Sequence, residues 1–120
     1  MNGTILLVED DEDLRAMMCE ALELYEYKVI SAQDGQDALD RLNGLDGLER
    51  VCLILLDLVM PRMNGWEFLE RMRARPQLAD IPVVVHSSAP RQAPERVSRV
   101  LQKPLAIERL LAVVRELCPA

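Results

Sequence analysis

Apolar and polar positions alternate in blocks along the whole chain, and the period of the pattern changes from block to block. Thr4 to Val8 is a short run of β-branched and leucine residues, the pattern of a strand buried in a parallel sheet. From Asp13 to Glu26, Leu14, Met17, Met18, Ala21, Leu22 and Tyr25 recur at helical spacing. Lys28 to Ala32 predicts a second strand and Gly35 to Leu42 a short helix, and Asn43 to Glu49, with Gly44 and Gly47, predicts a loop. Val51 to Leu56 is the strongest strand signal in the chain. Asn64 to Arg75 predicts a helix with Trp66, Leu69 and Met72 on one face, stopped before Pro76. Ile81 to His86 and Val97 to Leu101 complete five strands, and Leu105 to Leu117 is a closing helix.

Strands that alternate with helices in this way predict an α/β fold, a doubly wound five-stranded parallel sheet covered on both faces, with residues 1–120 as a single domain. Ligands of such sheets bind beyond the carboxyl ends of the strands, where the winding direction reverses. The strand-end residues are therefore the candidates for chemistry. They are Glu9, Asp10 and Asp11 after the first strand, Asp57 after the third, Ser87 and Ser88 after the fourth, and Lys103 and Pro104 after the fifth.

Composition narrows the picture. Half of the 120 residues are apolar and 28% are charged. The apolar runs fall far short of the roughly 20 residues a membrane span needs. No charged segment followed by an apolar one opens the chain, so a cytoplasmic location is expected. The net charge of −6 argues against direct nucleic-acid binding. Cys19, Cys52 and Cys118 show no metal-ligand spacing and are expected to be reduced core residues.

Crowded carboxylates raise one another's pKa unless a cation intervenes. Mg²⁺ suits the strand-end set, because it prefers oxygen ligands and commonly takes one or two carboxylates plus a phosphate oxygen. Asp57 closes an apolar strand, so it is rigidly held and can act as a nucleophile toward phosphorus. A cationic amine such as Lys103 would stabilise charge on the transferring group, and Ser87 could donate to it. Taken alone, Glu9, Asp10 and Asp11 also suit helix capping, the role expected for Asp11. His86, adjacent to Ser87, should face the other side of its strand as a buried, hydrogen-bonded residue. The methionines read as packing, and Trp66 as a half-buried optical reporter.

Four segments carry a specific resemblance. Ile5 to Asp11 resembles the opening of response-regulator receiver domains, Asp57 to Gly65 (DLVMPRMNG) their phosphorylation loop, and Lys103-Pro104 their lysine-proline pair, while Ser87 follows Asp57 by 30 residues. The resemblance covers essentially the whole chain and implies a flavodoxin-like receiver fold. It implies that Asp57 is the phosphoacceptor. Asp10, Asp57 and the backbone carbonyl of Val59 would ligate Mg²⁺, or Mn²⁺ in its place, with Glu9 holding metal-bound waters. Ser87 would be the hydroxyl switch, Lys103 the phosphoryl contact, and the Lys103–Pro104 bond cis. Gly65 would suit a turn that needs a permissive backbone. The implied donor is a histidine kinase or histidine phosphotransfer protein, the output partner is open, and the chain is a switch that catalyses its own phosphorylation rather than an enzyme.

The pattern departs from the family at two places. The aromatic switch position, three residues before the lysine, is Val100, and the interval from Ser87 to Lys103 is short, with Pro90 and Pro94 inside it. A fourth helix that is shortened or missing is expected. Val59 and Ala89 offer no polar group to orient an attacking water, so slow self-dephosphorylation is expected. Two other readings remain: a pseudo-receiver that interacts without phosphorylation, and a Mg²⁺-dependent aspartyl-phosphate hydrolase. The second lacks the acid two residues after the nucleophile, where Val59 stands. With no effector domain after Leu117, the chain is expected to act through a partner or to derive from a larger protein.

Overall fold

The computed structural model of the chain describes residues 3–45 and 50–119. In order they form β1 (Thr4–Val8), α1 (Glu12–Leu24), β2 (Lys28–Ala32), α2 (Gly35–Asn43), β3 (Val51–Asp57), α3 (Gly65–Arg73), β4 (Val83–Ser87), a 3-10 turn (Pro90–Gln92), β5 (Arg99–Gln102) and α4 (Ile107–Leu117). The strands pair in parallel in the order β2-β1-β3-β4-β5. The chain winds from β1 outward to β2 and then returns to β3 on the other side, so the winding reverses between β1 and β3.

Alternation along each strand divides the core in two. Ile5, Leu7, Leu53, Leu55 and Val84 pack with Met18 and Leu22 of α1 and Leu110, Leu111 and Val114 of α4. Leu6, Val8, Ile54, Leu56 and Val85 pack with Ala38, Leu39 and Leu42 of α2 and Phe68, Leu69 and Met72 of α3. Both faces are covered, which is why β1 and β3 read as unbroken apolar runs. Each of the first three helices has a side-chain cap: Asp11, Asp34 and Asn64 accept from the N–H groups of Leu14, Asp37 and Glu67.

Boundaries shift by one or two residues for identifiable reasons. α1 stops at Leu24, short of Glu26, which takes a φ of 66°. Asn64 is the cap of α3 and not its first residue. β4 begins at Val83, because Pro82 lacks an N–H and contributes only its carbonyl, 3.0 Å from the Ile54 N–H. Val97 lies before β5 and packs on the α2–α3 side of the core. Gly44 caps α2, while the Gly47 part of the expected loop falls outside the described residues.

The fourth helix is reduced to one 3-10 turn, as Pro90 and Pro94 led one to expect. The rest of the 88–98 segment is tied to α3. The Trp66 indole N–H donates to the Gln92 carbonyl at 3.0 Å, and the Arg73 guanidinium donates to the carbonyls of Glu95 (3.2 Å) and Arg96 (2.9 Å).

One expectation is corrected. Cys52 and Cys118 form a disulfide with Cα atoms 5.6 Å apart, leaving Cys19 as the free thiol. The two lie 66 residues apart and meet because the end of α4 comes down beside the start of β3, a proximity no local spacing encodes. Among the described residues no helix is long and apolar enough to cross a membrane.

Candidate functional site

The reversal between β1 and β3 places the first and third strand ends side by side. Glu9 follows β1 directly, its N–H donating to the Ala32 carbonyl at the end of β2 (3.0 Å), and its side chain is fully buried. Asp57 is the last residue of β3 and only 4% exposed, whereas Asp10 is exposed. Carboxylate oxygens of Glu9, Asp10 and Asp57 lie within 4.8 Å of one another. Asp11 stands apart as the α1 cap, its N–H bonded to Glu9 Oε2 at 2.9 Å.

Lys103 comes to this cluster from the end of β5. Its N–H donates to the Ser87 carbonyl (2.9 Å), and the peptide bond to Pro104 is cis. Nζ stands 2.8 Å from Glu9 Oε1 and 3.3 Å from Asp57 Oδ2. Ser87 closes β4, one residue beyond the Asp57–His86 register pair, and its buried hydroxyl accepts the Ala89 N–H at 3.0 Å. Val59 lies in the loop after β3 and is 63% exposed. Glu9, Asp10, Asp57, Ser87 and Lys103 therefore all stand at strand ends along this one edge of the sheet.

Burial and mutual repulsion shape the electrostatics. Burial, with the Asp57 charge adding to it, lifts the Glu9 carboxyl to about 7 against the opposing pull of Lys103 and the Asp11 N–H. Asp57 is raised as well, by burial first and then by Asp10, with Lys103 opposing. Burial disfavours the Lys103 ammonium, but Glu9 and Asp57 outweigh that and hold its pKa above the ordinary value. Among the described residues, Lys103 is the cation placed against both buried carboxylates. Glu9 Oε1 is fully buried, and the Lys103 ammonium at 2.8 Å is its close cationic partner. An all-oxygen set of two buried carboxylates and one exposed carboxylate within 4.8 Å fits a hard divalent cation.

Gly65 has a tighter reason than the turn suggested from sequence. Its φ is not positive. A Cβ there would stand 2.6 Å from the Asp57 carbonyl oxygen and 2.8 Å from Leu58 Cα, so only glycine lets α3 begin against the end of β3.

His86 is buried, as expected, but neither ring nitrogen makes an aligned hydrogen bond. Nδ1 lies 3.4 Å from Glu9 Oε1. This contact is not an ion pair, because burial and the nearby Lys103 charge push the imidazole down to about 3. A second contact absent from the sequence reading is the Asp34–Arg62 pair on the flank of the Asp57 loop, where an exposed arginine meets a buried capping aspartate. Residue types alone gave no sign of it beyond the cap position of Asp34.

The family model for the response regulator receiver domain matches residues 5–115. The chain is 36% identical to the response regulator MprA of Mycolicibacterium vanbaalenii over 120 residues, an alignment covering 94% of this chain and 49% of that one. The chain thus spans about half the length of MprA. Among solved structures it is similar to the chemotaxis response regulator CheY4 of Vibrio cholerae, with a TM-score of 0.84 at 26% identity, covering 98% and 99% of the two chains. It is also similar to the receiver domain of the hybrid histidine kinase CckA, with a TM-score of 0.80 at 31% identity and 95% and 97% coverage.

Proposed function

Because this chain belongs to the response regulator receiver domain family, we propose that it is a phosphoacceptor switch in which Asp57 takes a phosphoryl group from a phosphohistidine donor, a histidine kinase or a histidine phosphotransfer protein. The observation that carries this reading is the meeting of Glu9, Asp10 and Asp57 oxygens within 4.8 Å, with the Lys103 ammonium against two of the three.

Asp57 Oδ attacks phosphorus as the phosphorus–nitrogen bond to the donor imidazole breaks. The electron pair leaves with that imidazole, whose other ring nitrogen carries a proton, so the phosphoimidazolium departs as neutral imidazole. Asp57 is held for this at the end of a buried strand, with Lys103 beside it to meet charge on the phosphoryl oxygens. A Mg²⁺ ion held by Asp10, Asp57 and the Val59 carbonyl, with Glu9 binding its waters, would supply charge neutralisation of the incoming phosphate. Mn²⁺ has the same ligand preference. Ser87 gives up the Ala89 N–H when its hydroxyl turns to the phosphoryl group, and Ala89 lies in the 88–98 segment bonded to α3. The segment and α3 then carry the change outward, in place of an aromatic ring at Val100.

The test is incubation of the chain with Mg²⁺ and acetyl phosphate, followed by intact mass. Wild type gains one phosphoryl group, and Asp57→Asn gains none. An adduct that survives in Asp57→Asn overturns the assignment, and no adduct on wild type supports a pseudo-receiver instead. Steady release of phosphate from phosphate esters would support a hydrolase, against which the apolar Val59 argues.

A further inference from the structure

The loop from Leu58 to Asn64 carries the Val59 carbonyl, and its packing is uneven. Leu58, Met60 and Met63 are buried, whereas Val59 is exposed. Arg62 takes a φ of 62°, a backbone region costly for a side chain of this kind and occupied only where surroundings enforce it. The enforcing contact crosses to α2. Arg62 Nε and a terminal guanidinium nitrogen both reach Asp34 Oδ2, at 2.8 Å and 2.7 Å. Asp34 Oδ1 meanwhile caps α2 by accepting the Asp37 N–H at 2.8 Å.

The asymmetry of burial makes this pair unlike an ordinary surface bridge. The Asp34 side chain is 3% exposed and the Arg62 side chain 61%. Burial would raise the Asp34 carboxyl, yet the Arg62 hydrogen bond and the Asp37 N–H outweigh it and leave it below the usual range. Next to the pair, the Gly35 N–H donates to the Met63 carbonyl at 2.9 Å, and a Cβ on Gly35 would stand 2.8 Å from that same oxygen. Since Glu9 is tied to Ala32 at the end of β2, these bonds close a circuit that runs β1, β2, first turn of α2, Asp57 loop. The first and third strand ends, which supply the clustered carboxylates, are thereby referred to one another from outside the cluster as well as within it.

We propose that the Asp34–Arg62 pair is a positioning device that fixes the loop after β3, and with it the Val59 carbonyl, for divalent-cation binding. Neither residue touches the reacting groups. The proposal rests on the metal-site reading above, and it predicts that breaking the pair weakens cation affinity beyond any effect on folding. Outer contacts that orient ligands typically change metal affinity about 10- to 100-fold.

The experiment is calorimetric titration of the 120-residue chain with MgCl₂, alongside thermal midpoints of the metal-free proteins. Arg62→Gln and Asp34→Asn each weaken Mg²⁺ binding about tenfold. The asparagine keeps an oxygen for the α2 cap, so the cap alone does not explain its loss. The double variant is no weaker than either single one, as expected of partners in one contact. Arg62→Lys keeps the charge without the two-pronged geometry and falls between wild type and Arg62→Gln. Wild-type Mg²⁺ affinity in either single variant, with only the thermal midpoint lowered, makes the pair purely structural and overturns the proposal. A wild type that binds no Mg²⁺ overturns the metal site itself, and the positioning role with it.

Discussion

Lys103 Nζ stands 2.8 Å from Oε1 of Glu9, a carboxylate with no exposed surface, and the same ammonium lies 3.3 Å from Asp57. The lysine is thus the close counter-ion of the buried acids while no divalent cation is bound. Lys103→Met leaves both acids uncompensated and costs the metal-free fold about 1–3 kcal/mol, an amount reduced from that of a fully buried pair by the partial exposure of the ammonium. Mg²⁺ then raises the melting temperature of the variant by more than it raises that of wild type. Thermal melts in chelator and in Mg²⁺ check this, and an equal increment in both proteins contradicts the counter-ion role.

Gly65 separates the end of β3 from α3 by less than a methyl group's width. In Gly65→Ala the new Cβ meets backbone atoms, the Asp57 carbonyl oxygen at 2.6 Å and Leu58 Cα at 2.8 Å, neither of which can swing aside. Destabilisation of about 1–3 kcal/mol is expected from such overpacking. Displacement of the Asp57 loop should also slow phosphorylation. Urea denaturation and the rate of phosphoryl gain from acetyl phosphate measure the two effects.

His86 gives the fold a defined acid sensitivity. The unfolded chain protonates this imidazole below about 6.5, whereas the folded protein holds it neutral down to about 3. Between those values only the unfolded state binds the proton, so the contribution of His86 to stability falls as the pH falls, by roughly 1 kcal/mol per pH unit. Glu9 acts in the opposite sense between about 7 and 4.5, because the folded state there binds the extra proton. His86→Leu removes only the first effect. Urea midpoints of variant and wild type should diverge in favour of the variant as pH is lowered from 7 to 4; parallel curves would count against a neutral buried His86.

An exposed valine two residues past Asp57 has a kinetic consequence if Asp57 is the acceptor proposed above. Neither the Val59 nor the Ala89 side chain can hydrogen-bond an attacking water, so the phosphorylated chain should persist for many minutes or longer, on the order expected when in-line water is left unpositioned. Val59→Asn, which adds a polar group at that exposed position, should shorten the lifetime. Loss of label in the isolated protein measures it, and a wild-type half-life of seconds refutes the expectation.

The sequence by itself determined the five-stranded α/β order and the residues at the strand ends, because both depend on local periodicity and chain direction. Apolar runs such as Leu53 to Leu56 suit a strand buried on both faces, as in a covered parallel sheet, and a parallel sheet brings its carboxyl ends to one edge. The short segment after Ser87 was legible for the same reason, since Pro90 and Pro94 act on their own backbone. Contacts between distant side chains were not. The Cys52–Cys118 bond, the Arg62 bridge to Asp34, the Arg73 and Trp66 ties to the 88–98 segment and the approach of His86 to Glu9 each join elements far apart in the chain. Their partners are chosen by how the helices pack on the sheet, and only the tertiary structure decided that.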